Sequence, residues 1–227
     1  MTEPKFFFIR HGQLVAPYLN HLTMDYRTLT DLSLGSLDPS INHNASELFV
    51  RQTANVDLAQ VHTVYYNSSG ISSARSLESA RCIVDSLKQR YGEAVQLYGL
   101  PDIREVRFDV SGLVSEPEFN KHGMAAIRSA LYRAVIHGGA AEPLAEVAGR
   151  IRILQGVVEE HARKGESVLF VTHDFFMRFL EVYITRRERL DGVSVEDLER
   201  TGLNYYFAGF TGDSSLRTLE RWGRQIL

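Results

Sequence analysis

Four basic or titratable residues stand near the ends of apolar runs, where they could bind and attack an anion. Arg10 and His11 directly follow one such run, His173 comes shortly after another, and Arg75 follows the polar turn after a third. A pocket with two Arg and two His side chains is costly to bury unless an anion neutralises it. A guanidinium group contacts two phosphate oxygens at once, and a neutral imidazole can attack phosphorus. The pattern predicts a site for a phosphate or a carboxylate, with two histidines available for chemistry.

A leaving oxygen would also need a proton, which a nearby carboxylic acid can supply. Glu105 fits this role best because it follows a short predicted strand. Its apolar neighbours Ile103 and Val106 could keep the carboxyl group protonated. The other candidates for the acid are Asp109, Glu116 and Glu118.

Alternating strands and helices must position these residues. Uniformly apolar runs such as 6–9 and 168–171 are typical of strands buried on both faces. The alternation predicts an α/β fold, a three-layer sandwich in which helices flank a mainly parallel sheet, with the ligand site at the carboxyl ends of the strands. Strands are predicted at 6–9, 61–66, 95–97, 168–171, 205–210 and 216–219, and helices at about 46–58, 72–91, 117–137, 143–164 and 175–184.

Two segments depart from this alternation. Residues 15–41 lack periodicity and are rich in turn formers, so we interpret them as an irregular excursion, and one this long is more often functional than not. Residues from about 106 to 142 are expected to form part of a cap. Because no linker or repeat divides the sequence, we expect a single domain over residues 1–227.

Composition narrows the class of protein. The 25 Lys and Arg residues against 28 Asp and Glu residues give a net charge of −3, which argues against nucleic acid as a partner. The single Cys82 excludes a disulfide framework and favours a reducing compartment. The N-terminal apolar run is too short for a signal sequence or a membrane span, so we expect a cytoplasmic protein without a membrane partner. The sequence leaves a homodimer open.

Five motifs resemble those of the histidine phosphatase superfamily, also called phosphoglycerate-mutase-like. Residues 8–13, Phe-Ile-Arg-His-Gly-Gln, resemble its strand followed by Arg-His-Gly. The matches occur in family order between residues 6 and 174, and residues 204–210 are similar to the usual closing strand. The other motifs are the turn at 38–41, the second arginine motif at 74–80, the acid motif at 103–105 and the second histidine strand at 168–173.

The resemblance implies a role for each matching residue. His11 would accept the phosphoryl group, and Arg10, Arg75 and His173 would bind its oxygens. Glu105 would be the acid that later activates water. The resemblance implies that no metal is needed, and this sequence has neither a Cys pair nor a His pair at helical i, i+4 spacing. We expect no cofactor for this chain.

The chain departs from the family pattern where substrates are expected to bind. Asp174 follows the second histidine where the family usually has Gly, so a carboxylate could face the substrate. Further candidates for substrate contacts are Gly12, Gln13 and Asn20, the last standing in for a missing Asn-containing loop. The lead into the second arginine motif, residues 68–73, is longer than in the family. Residues 106–122 do not resemble the run found in the cofactor-dependent mutases, which makes mutase activity less expected.

We therefore predict a metal-independent phosphatase that hydrolyses a small phosphorylated metabolite through a phosphohistidine. A phosphoglycerate-mutase-type phosphotransferase is the enzymatic alternative. A non-catalytic module that binds a phosphorylated ligand is the alternative from another class, although the presence of all five reactive residues argues against it.

Overall fold

A mixed sheet of six strands forms the centre of the fold, and a pair of short strands lies outside it. The computed structural model describes residues 3–18, 24–92, 94–201, 203–223 and 225–226. In chain order the strands are β1 (Phe6–Arg10), β2 (Val61–Tyr66), β3 (Gln96–Gly99), β4 (Ser167–Thr172), β5 (Leu203–Asn204), β6 (Gly209–Gly212), β7 (Leu219–Trp222) and β8 (Gln225–Ile226). The sheet order is β3-β2-β4-β1-β6-β7, and β5 pairs with β8.

Four neighbouring strands are parallel, and this arrangement sets the position of the site. β1 pairs with β4, β4 with β2, and β2 with β3, all in parallel, whereas β6 and β7 add an antiparallel edge. Arg10 lies opposite Thr172 in the register of β1 and β4. The residues that follow these two strands therefore leave the sheet side by side, at its carboxyl edge.

Helices cover both faces of the sheet. In chain order they are α1 (Tyr26–Leu34), α2 (Ala45–Gln52), α3 (Ser73–Tyr91), α4 (Val110–Leu113), α5 (Glu116–His122), α6 (Met124–His137), α7 (Leu144–Lys164), α8 (Asp174–Thr185) and α9 (Val195–Glu199). None of the helices in the described residues is long and apolar enough to cross a membrane.

The core divides into two layers because side chains alternate along β1. Phe6 and Phe8 pack with side chains of α6, α7 and α8 on one face. Phe7 and Ile9 pack with α2 and α3 on the other. Every residue of β1 and β4 is buried, as strands covered on both faces require. The predicted three-layer α/β sandwich with a mainly parallel sheet is confirmed.

Several predicted elements differ in position. The excursion at 15–41 contains α1, which Asp25 caps by accepting a hydrogen bond from the Thr28 amide at 2.7 Å. The helix predicted at 117–137 is two helices, because the chain turns at Gly123, whose φ of 60° favours glycine. The helix predicted at 46–58 ends already at Gln52. The last two strands of the sheet begin later than predicted, at Gly209 and Leu219.

The segment expected to form a cap contains α4, α5 and α6. Its apolar residues form a third cluster with α1, separate from the two layers on the sheet. Val110, Phe119 and Ile127 pack there against Leu14 and Leu29. Residues before α2 and residues after β3 thus fold together, although Leu29 and Val110 are 81 positions apart in the sequence.

The approach of β6 to β1 leaves no room for a side chain at Gly209. A Cβ atom there would lie 1.9 Å from the Phe8 carbonyl oxygen. We expect Gly209→Ala to lower the free energy of unfolding by about 3 kcal/mol or more, measured by urea denaturation. The matched control is Gly156→Ala in α7, where a Cβ meets no atom within 4 Å. It should raise the free energy of unfolding by up to about 1 kcal/mol. Equal stability of the two variants would contradict this packing of β6 on β1.

Candidate active site

The carboxyl ends of β1 and β4 bring the two predicted histidines together. The His11 amide donates to the Thr172 carbonyl oxygen at 3.0 Å, which ties the two strand ends to each other. The ring centroids of His11 and His173 lie 5.1 Å apart. Arg10 and Arg75 are buried beside them and line the same cavity. All four residues that the sequence predicted for the anion site therefore share one pocket.

Backbone contacts orient the His11 ring. Its Nδ1 lies 2.8 Å from the Gly12 carbonyl oxygen, which can only accept, so Nδ1 carries the proton and Nε2 keeps its lone pair. The Gly12 amide in turn donates to Ser79 Oγ at 2.8 Å, which fixes the turn to α3. A Cβ at Gly12 would lie 2.8 Å from the Phe207 ring, so a larger residue would shift this turn. Gly12 thus positions the imidazole.

Both imidazoles are held neutral. Burial lowers the pKa of His11 well below its usual value, and the nearby His173 ring and the positive charges of Arg75 and Arg10 lower it further. Burial and the same two guanidinium groups lower the pKa of His173 in the same way. A neutral ring with an available Nε2 is the state in which His11 can act as a nucleophile.

Asn67, which the sequence analysis did not single out, sets the tautomer of His173. Its Nδ2 lies 3.2 Å from His173 Nε2, while its Oδ1 accepts from the Ser69 amide at 3.1 Å. The second contact fixes which end of the amide donates. His173 Nε2 therefore accepts, and its Nδ1 carries the proton of the neutral ring. Asn67 directly follows β2, so the strand-end rule could have found it.

Arg75 is held by an acidic turn from outside α3. Its Nε donates to Asp38 Oδ1 at 3.0 Å, and its Nη2 donates to Ser72 Oγ at 2.5 Å. The second carboxylate oxygen of Asp38 accepts from the Ala74 amide at 3.1 Å. Burial lowers the pKa of Arg75, and Asp38 opposes that shift. The 38–41 turn therefore fixes the direction of the guanidinium group.

Glu105 lies at the N-terminus of α8 and is half-buried. Its Oε1 accepts from the Val106 and Phe176 amides, both at 3.0 Å. Burial raises the pKa of Glu105 to about 7, the negative charge of Asp174 adds to the shift, and the two amides and Arg10 oppose it. A carboxyl group with this pKa can both give and take a proton near neutral pH.

The other candidate acids lie away from the pocket. Asp109 caps α4 by accepting from the Ser111 amide at 2.9 Å. Glu116 and Glu118 belong to the first turn of α5. None of the three is among the residues of the described chain that line the cavity.

The assembled groups line a cavity of about 510 Å³. His11, Glu105 and His173 contribute to its wall, as do Arg10, Arg75 and Asp174. Gln13 does not line it in this structure; its carbonyl oxygen accepts from the Asn42 amide at 2.6 Å. Asn20 lies outside the described residues. No group of three or more His, Cys, Asp or Glu side chains in the described part of the chain could hold a metal ion.

Solved structures share this architecture, although no protein-family model and no curated protein sequence matches the chain. A mycobacterial glucosyl-3-phosphoglycerate phosphatase superposes with a TM-score of 0.57 at 16% identity, covering 99% of this chain and 98% of its own. A phosphoglycerate mutase from Bacillus anthracis superposes with a TM-score of 0.57 at 18% identity, covering 96% and 92%. The chain has the phosphoglycerate-mutase-like fold.

Asp174 contributes a carboxylate to the lining of this cavity. Its Oδ2 accepts from Arg178 Nε at 2.9 Å, and Arg178 is fully buried. Arg178 Nη1 also donates to the Thr201 carbonyl oxygen at 3.1 Å, which anchors the pair to the segment after α9. Asp174 is thus an ion-paired carboxylate that reaches the cavity, close enough to raise the pKa of Glu105.

Replacing Asn67 with Asp tests the tautomer of His173. A carboxylate can still accept from the Ser69 amide, but it cannot donate to His173 Nε2. We expect Asn67→Asp to move the proton of His173 to Nε2 and to raise its pKa by about one unit or more, because a carboxylate stabilises the imidazolium.

The measurement is the ¹⁵N chemical shift of the His173 ring nitrogens as a function of pH. Ser69→Ala is the control, because it keeps the backbone amide through which Ser69 donates to Asn67. An unchanged tautomer in Asn67→Asp would show that Asn67 does not orient the ring.

Proposed function

We propose that this chain hydrolyses phosphomonoesters of small metabolites, without a metal ion, through a phosphohistidine at His11. The observation that carries the proposal is a neutral imidazole with an available Nε2 among two buried arginines, facing the same cavity as a carboxyl group of pKa about 7. Phosphatases among the structures with this fold support the reaction class, although fold alone does not define an activity.

The first step transfers the phosphoryl group to the enzyme. His11 Nε2 forms a bond to phosphorus, and the bond from phosphorus to the ester oxygen breaks. The electron pair of that bond stays on the ester oxygen, which takes the proton of Glu105 and leaves as an alcohol. Arg10, Arg75 and the Nδ1–H of His173 bind the phosphoryl oxygens as charge shifts onto them, which supplies most of the acceleration.

The second step returns the enzyme to its starting state. The Glu105 carboxylate takes a proton from water, and the water oxygen forms a bond to phosphorus. The bond between phosphorus and Nε2 breaks, and its electron pair returns to His11. Inorganic phosphate then leaves, and Glu105 is again protonated for the next cycle.

Phosphoryl transfer to a second substrate is the alternative reaction, which the fold shared with a phosphoglycerate mutase leaves open. A hydroxyl group of the acceptor would then take the place of water. Measuring phosphate release against phosphate transfer separates the two reactions. Trapping a phosphorylated His11 would exclude a module that only binds phosphorylated ligands.

His11→Ala should abolish phosphate release while the fold remains intact, because no other group in the pocket replaces Nε2. We expect the rate with 4-nitrophenyl phosphate to fall by roughly 10⁴-fold or more. His43→Ala is the matched control, since His43 is exposed and does not line the cavity. Mass spectrometry of quenched protein should find a phosphate on His11 in the wild type. Normal turnover by His11→Ala would refute the mechanism.

Glu105 makes hydrolysis dependent on pH and on the leaving group. Its proton is present below a pKa of about 7, so the rate with alkyl phosphates should fall as pH rises above 7. Glu105→Gln should lower that rate about 10²- to 10⁴-fold. With 4-nitrophenyl phosphate, whose leaving group needs no proton, the variant should still release a burst of one equivalent of nitrophenolate before turnover stalls.

Stopped-flow absorbance separates the burst from the steady state. Glu160→Gln, in an exposed ion pair with Lys164 away from the cavity, is the control and should behave as the wild type. The assignment of Glu105 fails if the burst disappears while alkyl phosphates are hydrolysed normally.

A further inference from the structure

The cavity wall that faces away from the sheet is apolar. Leu29 and Leu32 come from α1, Val110 from α4, and Met124 and Ile127 from α6. These five residues, which we call the apolar wall, belong to the third cluster that joins the cap segment to α1. One side of the cavity therefore holds the cationic groups, and another side presents hydrocarbon.

One polar side chain beside this wall, that of Ser33, is already bonded inside the protein. Ser33 Oγ accepts from the Val110 amide at 3.3 Å and donates to the Thr30 carbonyl oxygen at 2.9 Å. Hydroxyl groups of a sugar would lose their water against such a wall and gain few partners, which disfavours a polyol there. An apolar group would instead gain from leaving water.

The arginines that line the cavity suggest one competing substrate class, esters that carry a second anionic group. Arg104 and Arg107 line it but form ion pairs with Glu142 at 2.9 Å and Glu146 at 2.7 Å. Arg128 on α6 also lines it and would favour a substrate with a second anionic group. The apolar wall contributes more residues to the cavity than this single arginine, so the hydrocarbon side is the stronger indication.

We propose that the preferred substrates are monoesters of apolar alcohols, with an alkyl or aryl group that lies against the apolar wall. The proposal rests on the phosphatase function argued above and names its substrate class. Binding energy from the apolar group then holds the ester oxygen near Glu105 while the phosphoryl group lies between the arginines.

A series of n-alkyl phosphates tests this preference. From ethyl to hexyl phosphate the leaving-group chemistry stays constant, so differences in kcat/KM report the environment of the alkyl group. We expect kcat/KM to rise roughly threefold for each added methylene that the wall buries. Hexyl phosphate should also exceed glucose 6-phosphate, which has the same number of carbon atoms. Calorimetric binding of ethyl- and hexylphosphonate should show the same trend without turnover.

Two leucines of α1 provide a matched pair of variants. Leu32 is half-buried in the apolar wall, whereas Leu34 is 55% exposed and does not line the cavity. Leu32→Gln should reduce the gain per methylene, measured in both assays, and Leu34→Gln should leave it unchanged.

The outcomes separate this proposal from the proposed function. Phosphate release with no dependence on chain length, or with a preference for glucose 6-phosphate, overturns the apolar preference and leaves the phosphatase intact. A preference for 3-phosphoglycerate over hexyl phosphate also overturns it and points to Arg128. If no ester is hydrolysed and His11 is never phosphorylated, the phosphatase function fails and the substrate proposal fails with it.

Discussion

The site depends on one constraint, which is that two arginines and two histidines are buried together at one edge of the sheet. Arg10 and Arg75 lie buried beside two imidazoles, and each positive group raises the cost of the others. The protein offsets part of this cost. Asp38 pairs with Arg75, the Tyr206 ring lies 4.4 Å beneath the Arg10 guanidinium carbon, and burial keeps both histidines neutral. In the proposed reaction, the phosphoryl dianion of the substrate would supply the remaining compensation.

The same burial also sets the protonation states, and these affect stability in opposite directions. The pKa of Glu105 is raised from 4.5 to about 7, so the folded state keeps a proton that the unfolded chain loses, and stability decreases as pH rises through this range. The pKa of His11 and of His173 is lowered below 6.5, so the stability that their neutral forms contribute is lost as pH falls through 6.5. Each group is therefore held in its reactive state at the expense of folding free energy, as functional sites commonly are.

Residues at strand ends could be predicted from the sequence, and contacts between distant segments could not. Arg10, His11 and His173 follow uniformly apolar runs, a local pattern that parallel pairing brings to one edge. The bond from Asn67 to His173 depends on how β2 pairs with β4, which no local pattern contains. Asp38 and Arg75 are likewise 37 positions apart. The helix α1 was not predicted, because it has only nine residues and the turn formers around it obscure its short periodicity. Its packing on the cap segment is again a contact between distant parts of the chain.

In the proposed reaction, the chemistry and the recognition of the leaving group would come from different parts of the chain. His11 and His173 directly follow β1 and β4, whose burial resists displacements that would misalign the His11 ring. The apolar wall comes from α1, α4 and α6, which pack on one another in a separate cluster. A substitution in that cluster can therefore change the shape of the outer cavity without moving His11 or Glu105.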